Sequence, residues 1–314
     1  MKKLIIHHQV NYNNYKIRYF NIFFNNLIRY ISYKNEVIIN GYSKNSHKKR
    51  NPIVLDLDES ENPRTINLGD CEMIIEDFDT KKAKVFSVAD IVSDDIINLQ
   101  SNDNITDIYI SQFNRKKIEI LVDEKFRYKY KPWIYFKAND FDLDYFYHQR
   151  KKSNFFFDKL YFRGDLRIRN IVNKLDNNFF YGGESLNAPF EKYIEEMIKY
   201  SVGLSISGVG EFCYRDVEYM AIGIPFIRFE YLSEMRQPLI PNYHYISIDR
   251  PDDLKNINDN WGSQSHAKMI IDRFLEVKDD KNFLEFISKN ARKYYEDYLS
   301  PENSINNTIS LLNF

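Results

Sequence analysis

The sequence predicts an α/β protein built from two doubly wound, Rossmann-like domains that face a cleft. Three observations lead to this prediction. The chain has 314 residues, 43% of them hydrophobic, which is long for one core but suits two domains of ordinary size. Short apolar runs alternate with helical patterns at the beginning of the chain and throughout its second half. In that second half, a loop of small residues joins a buried strand to a helix, as in sheets that bind ligands at this turn.

The first elements form a strand–helix–strand unit. Residues 4–6 read as a strand, residues 15–33 as a helix with apolar side chains at helical spacing, and residues 37–39 as a second strand. Three such elements within about 40 residues indicate a βαβ unit and therefore a parallel sheet.

The rest of the first half is rich in short strands. Residues 53–57 and 64–68 are candidates for a hairpin, and a short helix is expected from Ser93. Further strands are predicted at residues 73–78, 84–88, 107–111, 116–122 and 132–137. The charged and aromatic stretch 138–157 shows no clear period, so we place the domain junction there. The expected domains are residues 1–150 and 151–314, with the last helix able to pack back on the first domain.

The second half alternates strands and helices regularly. Strands are predicted at residues 159–163, 178–183, 203–207, 224–229 and 244–248. Helices are predicted at residues 166–175, 190–199, 211–222, 266–277 and 283–298. Gly223 is predicted to lie just past the end of the helix at residues 211–222, and Pro225 lies where a helix cannot continue.

The chemistry of this half is expected where the loop Ser207–Gly210 opens into the helix that begins at Glu211. Unpaired N–H groups and a partial positive charge make a helix N-terminus a site for phosphate. Arg215 could add a bidentate contact to the same anion. Glu211 and Glu218 could orient Arg215 or accept hydrogen bonds from sugar hydroxyls. The alternative is a surface Glu–Arg pair that contributes about 0.3–0.5 kcal/mol.

Composition and charge exclude several classes of function. The formal net charge is −1, whereas a nucleic-acid binder normally carries a basic excess. Two cysteines, Cys71 and Cys213, form neither a disulfide framework nor a metal pair. The first residues lack an apolar segment of signal-peptide length, and no apolar run reaches 18 residues. We therefore expect a cytoplasmic protein with no membrane span.

Two motifs carry a resemblance to known enzymes. FDKLYFRGDLRIR, residues 157–169, resembles the segment around Phe-Arg-Gly in the CAP10-like family, glycosyltransferase family 90. CYRDVEYMAIGIPFI, residues 213–227, is similar to the R-x-x-E-x-x-A-x-G-x-P core of that group, of exostosin-like enzymes and of other GT-B glycosyltransferases. The resemblance covers mainly residues 157–250. It implies the GT-B fold, with an acceptor-side first domain and a second domain that binds a nucleotide sugar such as a UDP- or GDP-sugar.

The resemblance also implies roles for single residues. Arg163 and Arg215 would contact the donor diphosphate, and Glu218 would hold donor hydroxyls or brace the arginine. The candidate donor-binding residues are Arg163, Gly208, Val209, Gly210, Glu211, Tyr214, Arg215, Glu218 and Glu230. The E-x7-E pattern of some retaining enzymes is absent, because only six residues separate Glu211 from Glu218.

Arginines and a helix N-terminus can stabilise a departing diphosphate without a metal. Two D-x-D motifs, at residues 56–58 and 142–144, lie outside any recognisable donor site, so neither a metal nor a cofactor is expected. The expected partners are a nucleotide sugar and a glycan or protein acceptor, not a nucleic acid. The alternatives are a non-catalytic nucleotide- or sugar-phosphate-binding protein on the same fold, and a structural protein that assembles through its aromatic surface.

An acceptor hydroxyl can require a general base. The candidates come from the first domain, at or after strand ends: His7, His8, Asp77 and Asp90. Each has a structural alternative, as a buried or surface imidazole for the histidines and as a turn or N-cap residue for the aspartates.

Overall fold

The structure, a computed structural model, describes residues 2–10, 15–43, 53–54, 65–66, 72–87, 94–133, 142–153, 156–162, 178–182, 189–207, 211–254 and 264–313. The chain divides into two compact units. The first comprises residues 1–136, 233–236 and 301–314, and the second comprises residues 137–232 and 237–300.

The first unit begins with the predicted strand–helix–strand motif. Strands β1 (Lys3–Val10) and β2 (Glu36–Ser43) are parallel neighbours, connected through helix α1 (Tyr15–Ser32). The apolar residues at helical spacing in the second half of α1 are buried: Phe24, Leu27, Ile28 and Ile31. Because a parallel connection needs a crossover that covers the sheet, this apolar stripe is what the motif requires.

Four more strands complete the sheet of the first unit. They are β5 (Glu72–Asp77), β6 (Ala83–Ser87), β7 (Ile105–Ile110) and β8 (Tyr130–Pro132), in the order β2-β1-β5-β6-β7-β8. β5 is antiparallel to both of its neighbours, whereas β6, β7 and β8 are parallel. The predicted pairing upstream is confirmed, since β3 (Ile53–Val54) and β4 (Thr65–Ile66) are antiparallel. Helix α2 (Asp94–Leu99) lies between β6 and β7 in the chain.

The prediction of a strand at residues 116–122 is wrong, because this segment forms helix α3 (Arg115–Leu121). The side chain of Asn114 caps the helix by accepting a hydrogen bond from the Lys117 amide at 3.1 Å. Ile118 and Val122, four residues apart, are buried, whereas Ile120 is 80% exposed. The apolar residues therefore follow the helical period and not the alternation of a strand.

The second unit has five parallel strands in the order β10-β9-β11-β12-β13. They are β9 (Phe157–Phe162), β10 (Phe180–Gly182), β11 (Tyr200–Leu204), β12 (Phe226–Phe229) and β13 (Ile246–Ile248). The described α-helices of this unit are α4 (Leu143–Lys151), α5 (Phe190–Met197), α6 (Tyr214–Ile222), α7 (Gln264–Val277) and α8 (Lys281–Tyr294). A 3-10 turn (Asp252–Leu254) and a π-helical turn (Tyr295–Leu299) are also present. A further helix, α9 (Pro301–Ile309), belongs to the first unit. None of the helices within the described ranges is long and apolar enough to cross a bilayer.

Helices cover both faces of the second sheet. On one face, Leu204 and Ile227 pack in a buried cluster with Phe274 of α7. On the other face, Tyr219 of α6 lies against Gly203, where a Cβ atom would be only 2.5 Å from the tyrosine ring. The strands therefore belong to a doubly wound sheet, as predicted.

Helix α4 occupies the stretch in which the sequence showed no clear period. Its N-cap is Asp142, whose side chain accepts a hydrogen bond from the Tyr145 amide at 3.1 Å. The buried Arg150 near its end donates to the carbonyls of Ile198 and Tyr200 at 2.8 and 2.7 Å. A charged side chain that turns inward to bond backbone carbonyls obscures the amphipathic pattern by which helices are recognised.

Candidate functional site

The strand order of the second unit predicts where a ligand would bind. In chain order its strands are arranged 2-1-3-4-5, so the direction of winding changes between β9 and β11. Doubly wound sheets bind ligands outside the carboxyl ends of the strands at this point. The two strands end at Phe162 and Leu204. Arg163 follows the first directly, and the loop with Gly208, Val209 and Gly210 follows the second; these four residues lie outside the described residues.

Arg215 lies across the ends of these two strands. Its Nη1 donates a hydrogen bond to the Ile206 carbonyl at 3.3 Å, and its guanidinium lies 4.6 Å from the ring centroid of Phe162. Among the residues described here, no carboxylate comes within ion-pair distance of this guanidinium. A guanidinium remains protonated at any working pH, so Arg215 brings a positive charge to the ends of these strands.

The helix that carries Arg215 begins later than predicted. It starts at Tyr214, not at Glu211, with Cys213 as its N-cap. The Cys213 amide donates to the Asp216 carboxylate at 2.8 Å, which explains why the helix begins at that point. Glu211 therefore lies outside the helix. The prediction that Glu211, Arg215 and Glu218 share one helix face is wrong for Glu211. The end is as predicted, since Gly223 adopts the left-handed conformation with φ 70°.

Beneath the end of β11 lies a buried network of four charges. Arg228 donates to Asp216 at 2.8 Å, and Arg250 donates to Glu211 with both terminal nitrogens, at 2.8 and 3.0 Å. Ser205 donates a short hydrogen bond to Asp216. The two arginines balance the two carboxylates, so the network presents no net charge to a ligand.

Glu211 has a different environment from the one expected of a donor-binding residue. Its side chain is 0% exposed, and its Oε2 accepts a further hydrogen bond from the Leu232 amide at 3.2 Å. A carboxylate that is fully buried and already accepts hydrogen bonds from an arginine and a backbone amide is not accessible to a sugar hydroxyl. This environment favours a structural role for Glu211 beneath the site.

The other candidates of the second unit differ in their burial. Glu218, one turn further along α6, is buried and accepts a hydrogen bond from the Tyr193 hydroxyl at 2.8 Å. Tyr214 is the half-buried first residue of α6. Glu230 follows β12, and its amide donates to the Ile248 carbonyl at 3.1 Å. Glu230 and Tyr214 both remain partly accessible, so their predicted contacts with a donor stay predictions.

In the first unit, His7 is buried in the sheet. It is 1% exposed, its Nε2 lies 3.6 Å from Glu76 Oε2, and within the described ranges neither ring nitrogen makes a hydrogen bond. A base must reach a substrate hydroxyl, and this burial disfavours His7 for that role. The backbone of His8 belongs to β1, while its side chain lies outside the described residues, as does Asp90.

Asp77 lies at the opposite edge of the first sheet from the carboxyl ends of its parallel strands. Because β5 is antiparallel, Asp77 pairs with Leu4 near the beginning of β1. Its Oδ1 accepts hydrogen bonds from the amides of Asp79 and Thr80 at 3.1 and 2.8 Å. This is a turn-capping aspartate, the structural alternative considered for it.

Two important residues carried little signal in the sequence. Arg228 stands within an apolar strand, and a buried arginine requires a partner, so its position could have indicated the network. Arg250 follows β13 with no local pattern that distinguishes it. Only the proximity of β12, β13 and the end of β11 in the sheet reveals that both arginines bond the same region.

Comparison with known proteins identifies the fold. No family model and no curated protein matches this sequence. A solved glycosyltransferase from Rickettsia africae ESF-5 is similar in structure, with a TM-score of 0.53 and 12% sequence identity over 99% of this chain and 97% of that one. WaaG, a glycosyltransferase involved in lipopolysaccharide biosynthesis, aligns over 98% of this chain and 99% of its own at 8% identity, with a TM-score of 0.47. The predicted fold class, α/β with two Rossmann-like units of the GT-B type, is confirmed. The finer resemblance to CAP10-like or exostosin-like enzymes stays a prediction.

Proposed function

We propose that this protein is a glycosyltransferase that moves a sugar from a nucleoside diphosphate sugar to a hydroxyl of a glycan or protein, without a metal ion. The observation that carries the proposal is the position of Arg215. Its guanidinium lies at the switch point of the second sheet, whereas Arg228 and Arg250 nearby are bound to carboxylates. An arginine that pairs with no carboxylate of the described ranges suits a diphosphate, which it can bind through two parallel hydrogen bonds.

The chemistry follows from the charge that develops in the reaction. The bond between the anomeric carbon and the diphosphate oxygen breaks, and the diphosphate leaves with the electron pair. A bond forms from the acceptor oxygen to the anomeric carbon, and the acceptor proton passes to a base. Arg215, with Arg163 as its proposed partner next to Phe162, stabilises the charge on the leaving group. Of the four candidate bases, His8 and Asp90 remain for the last step.

The proposal is tested by calorimetric titration with UDP, GDP and their sugars, and with CMP sugars. Loss of a charged hydrogen-bonding group typically costs about 2 kcal/mol, so Arg215→Ala should weaken the binding of a UDP or GDP ligand about 30-fold. A matched control is Arg273→Ala in α7, because Arg273 pairs with Glu276 at 2.7 Å and donates at 2.9 Å to Asn242, which precedes β13, whereas the site lies where the strands end. The control should bind as the wild type does.

Transfer is measured separately from binding, as release of the nucleoside diphosphate with and without a glycan-array acceptor. Release should persist in EDTA if the reaction needs no metal. Binding without hydrolysis or transfer would instead support the alternative of a non-catalytic nucleotide-binding protein. Absence of binding by the wild type, or equal affinity of Arg215→Ala, would remove the basis of the proposal.

A further inference from the structure

We propose that Glu211 and Arg250 form a positioning pair that holds together the three segments following β11, β12 and β13, which would border the donor. This inference rests on the proposed function, because it concerns the same edge of the sheet. Both side chains are almost fully buried, at 0% and 4% exposed. Neither is therefore placed to contact a substrate, and any effect on the reaction would pass through other residues.

A single carboxylate contacts all three segments. Glu211 itself belongs to the segment after β11. Its Oε2 accepts from the Leu232 amide, which belongs to the segment after β12, at 3.2 Å. The same carboxylate accepts both terminal nitrogens of Arg250, which follows β13. Arg250 in turn donates to the Leu254 carbonyl at 3.1 Å, so the short turn that follows is fixed as well.

The segment after β11 is held at two points. Arg228 Nη2 donates to the Glu211 carbonyl at 3.3 Å and to the Ser207 hydroxyl at 3.4 Å. Arg250 Nη2 also lies 3.4 Å from the same hydroxyl. Two rigid guanidinium forks thus bind both Ser207 and Glu211, and preorganised geometry of this kind is what a site for a developing charge requires.

The electrostatics distinguish this pair from a ligand site. A bidentate arginine–carboxylate pair leaves no net charge. Arg215 supplies the positive charge at the site, and the Glu211–Arg250 pair supplies the geometry around it. We therefore expect substitutions in the pair to weaken the binding of a diphosphate more than substitutions elsewhere that lower the stability of the fold.

The test uses Arg250→Lys and Glu211→Gln, with Arg292→Lys as a matched control. The side chain of Arg292 is 10% exposed, against 4% for Arg250, and bonds Asp144 and Glu296 at 2.6 and 2.7 Å, so it is a largely buried, ion-paired arginine of the same unit. Titration with UDP and GDP measures affinity, thermal unfolding measures stability, and hydrogen–deuterium exchange reports residues 204–213, 229–232 and 249–254. In both test variants, the affinity for the nucleotide that the wild type binds should fall by at least about tenfold. Hydrogen–deuterium exchange should accelerate in all three segments together. Arg292→Lys should lower the unfolding temperature without either effect.

The outcomes separate the two proposals. If the wild type binds neither UDP nor GDP, the proposed function is refuted, and the exchange data still decide whether the pair holds the segments. Acceleration confined to one segment, or equal in Arg292→Lys, would overturn the positioning role. Weaker nucleotide binding in Arg292→Lys to the same degree would also overturn it, because the effect would then follow from general destabilisation.

Discussion

Replacement of Asp216 by asparagine should destabilise the second unit strongly, although the two side chains have nearly the same shape. Asp216 is 0% exposed and accepts hydrogen bonds from Arg228, Ser205 and the Cys213 amide. The substitution removes the charge that balances Arg228. Burial by itself lowers the pKa of Arg228, but Tyr231, Asp216 and Glu211 outweigh it and raise that pKa above its ordinary value. The guanidinium therefore stays charged inside the protein.

The expected magnitude follows from these contacts. Removal of one partner of a buried ion pair typically costs about 3–5 kcal/mol. Arg228 keeps a contact with the Glu211 carbonyl at 3.3 Å, so we expect the lower end, about 3 kcal/mol. Asp280→Asn is the control, since Asp280 caps α8 from an exposed position by accepting from the Phe283 amide at 2.9 Å. Asparagine caps helices equally well, so the control should change stability by less than about 0.5 kcal/mol.

Urea unfolding followed by far-UV circular dichroism measures both variants. The double variant Asp216→Asn/Arg228→Met adds a second test, because an apolar side chain of similar length removes the unbalanced charge. It should recover at least about 1.5 kcal/mol relative to the sum of the single changes. Equal stabilities of Asp216→Asn and Asp280→Asn, or strict additivity in the double variant, would refute the argument from buried charge.

Two further changes test the packing of the second unit. Burial lowers the pKa of His244 from 6.5 to about 4, so its neutral ring stabilises the fold above pH 6.5, and this contribution is lost as the pH falls towards 4. Protonation of this group should lower the free energy of unfolding of the wild type by about 2 kcal/mol between pH 7 and pH 5. In urea unfolding, the stability of His244→Gln should depend less on pH over this range. An equally steep pH dependence in His244→Gln would exclude His244 as the cause. Gly203→Ala should lower the free energy of unfolding by about 1–3 kcal/mol, because the new Cβ would lie 2.5 Å from the Tyr219 ring. The ring cannot easily move away, since its hydroxyl donates to the carbonyls of Tyr161 and Leu204. Calorimetry measures the lowered unfolding temperature, and a shift below about 1 °C would show that the ring yields.

Several elements could be predicted because their signals are local. The motif β1–α1–β2 followed from an apolar stripe at helical spacing between two short apolar runs. The end of α6 just before Gly223 followed from glycine chemistry, and the strand after Pro225 was predicted, although β12 begins at Phe226, two residues later than expected. Helix α3 was missed because its alternating apolar letters resemble a strand, and only the cap at Asn114 and the burial of Ile118 and Val122 identify the helix.

The place of each candidate site residue depended on contacts that no local pattern contains. Asp77 follows an apolar run just as a residue at a parallel strand end would, yet the antiparallel direction of β5 takes it to the other edge of the sheet. Glu211 reads as a first-turn helix residue, yet it is bonded to Arg250, 39 positions away in the chain.

The sequence by itself determined the α/β class, the βαβ unit and the chain segment that carries Arg215, since spacing and turn residues act over a few positions. Only the tertiary structure decided which of the described charges are balanced by ion pairs, as Arg228 and Arg250 are, and that Arg215 lies at the strand ends. The physical reason is that an ion pair depends on the distance between side chains in space, and the order and direction of the strands set that distance.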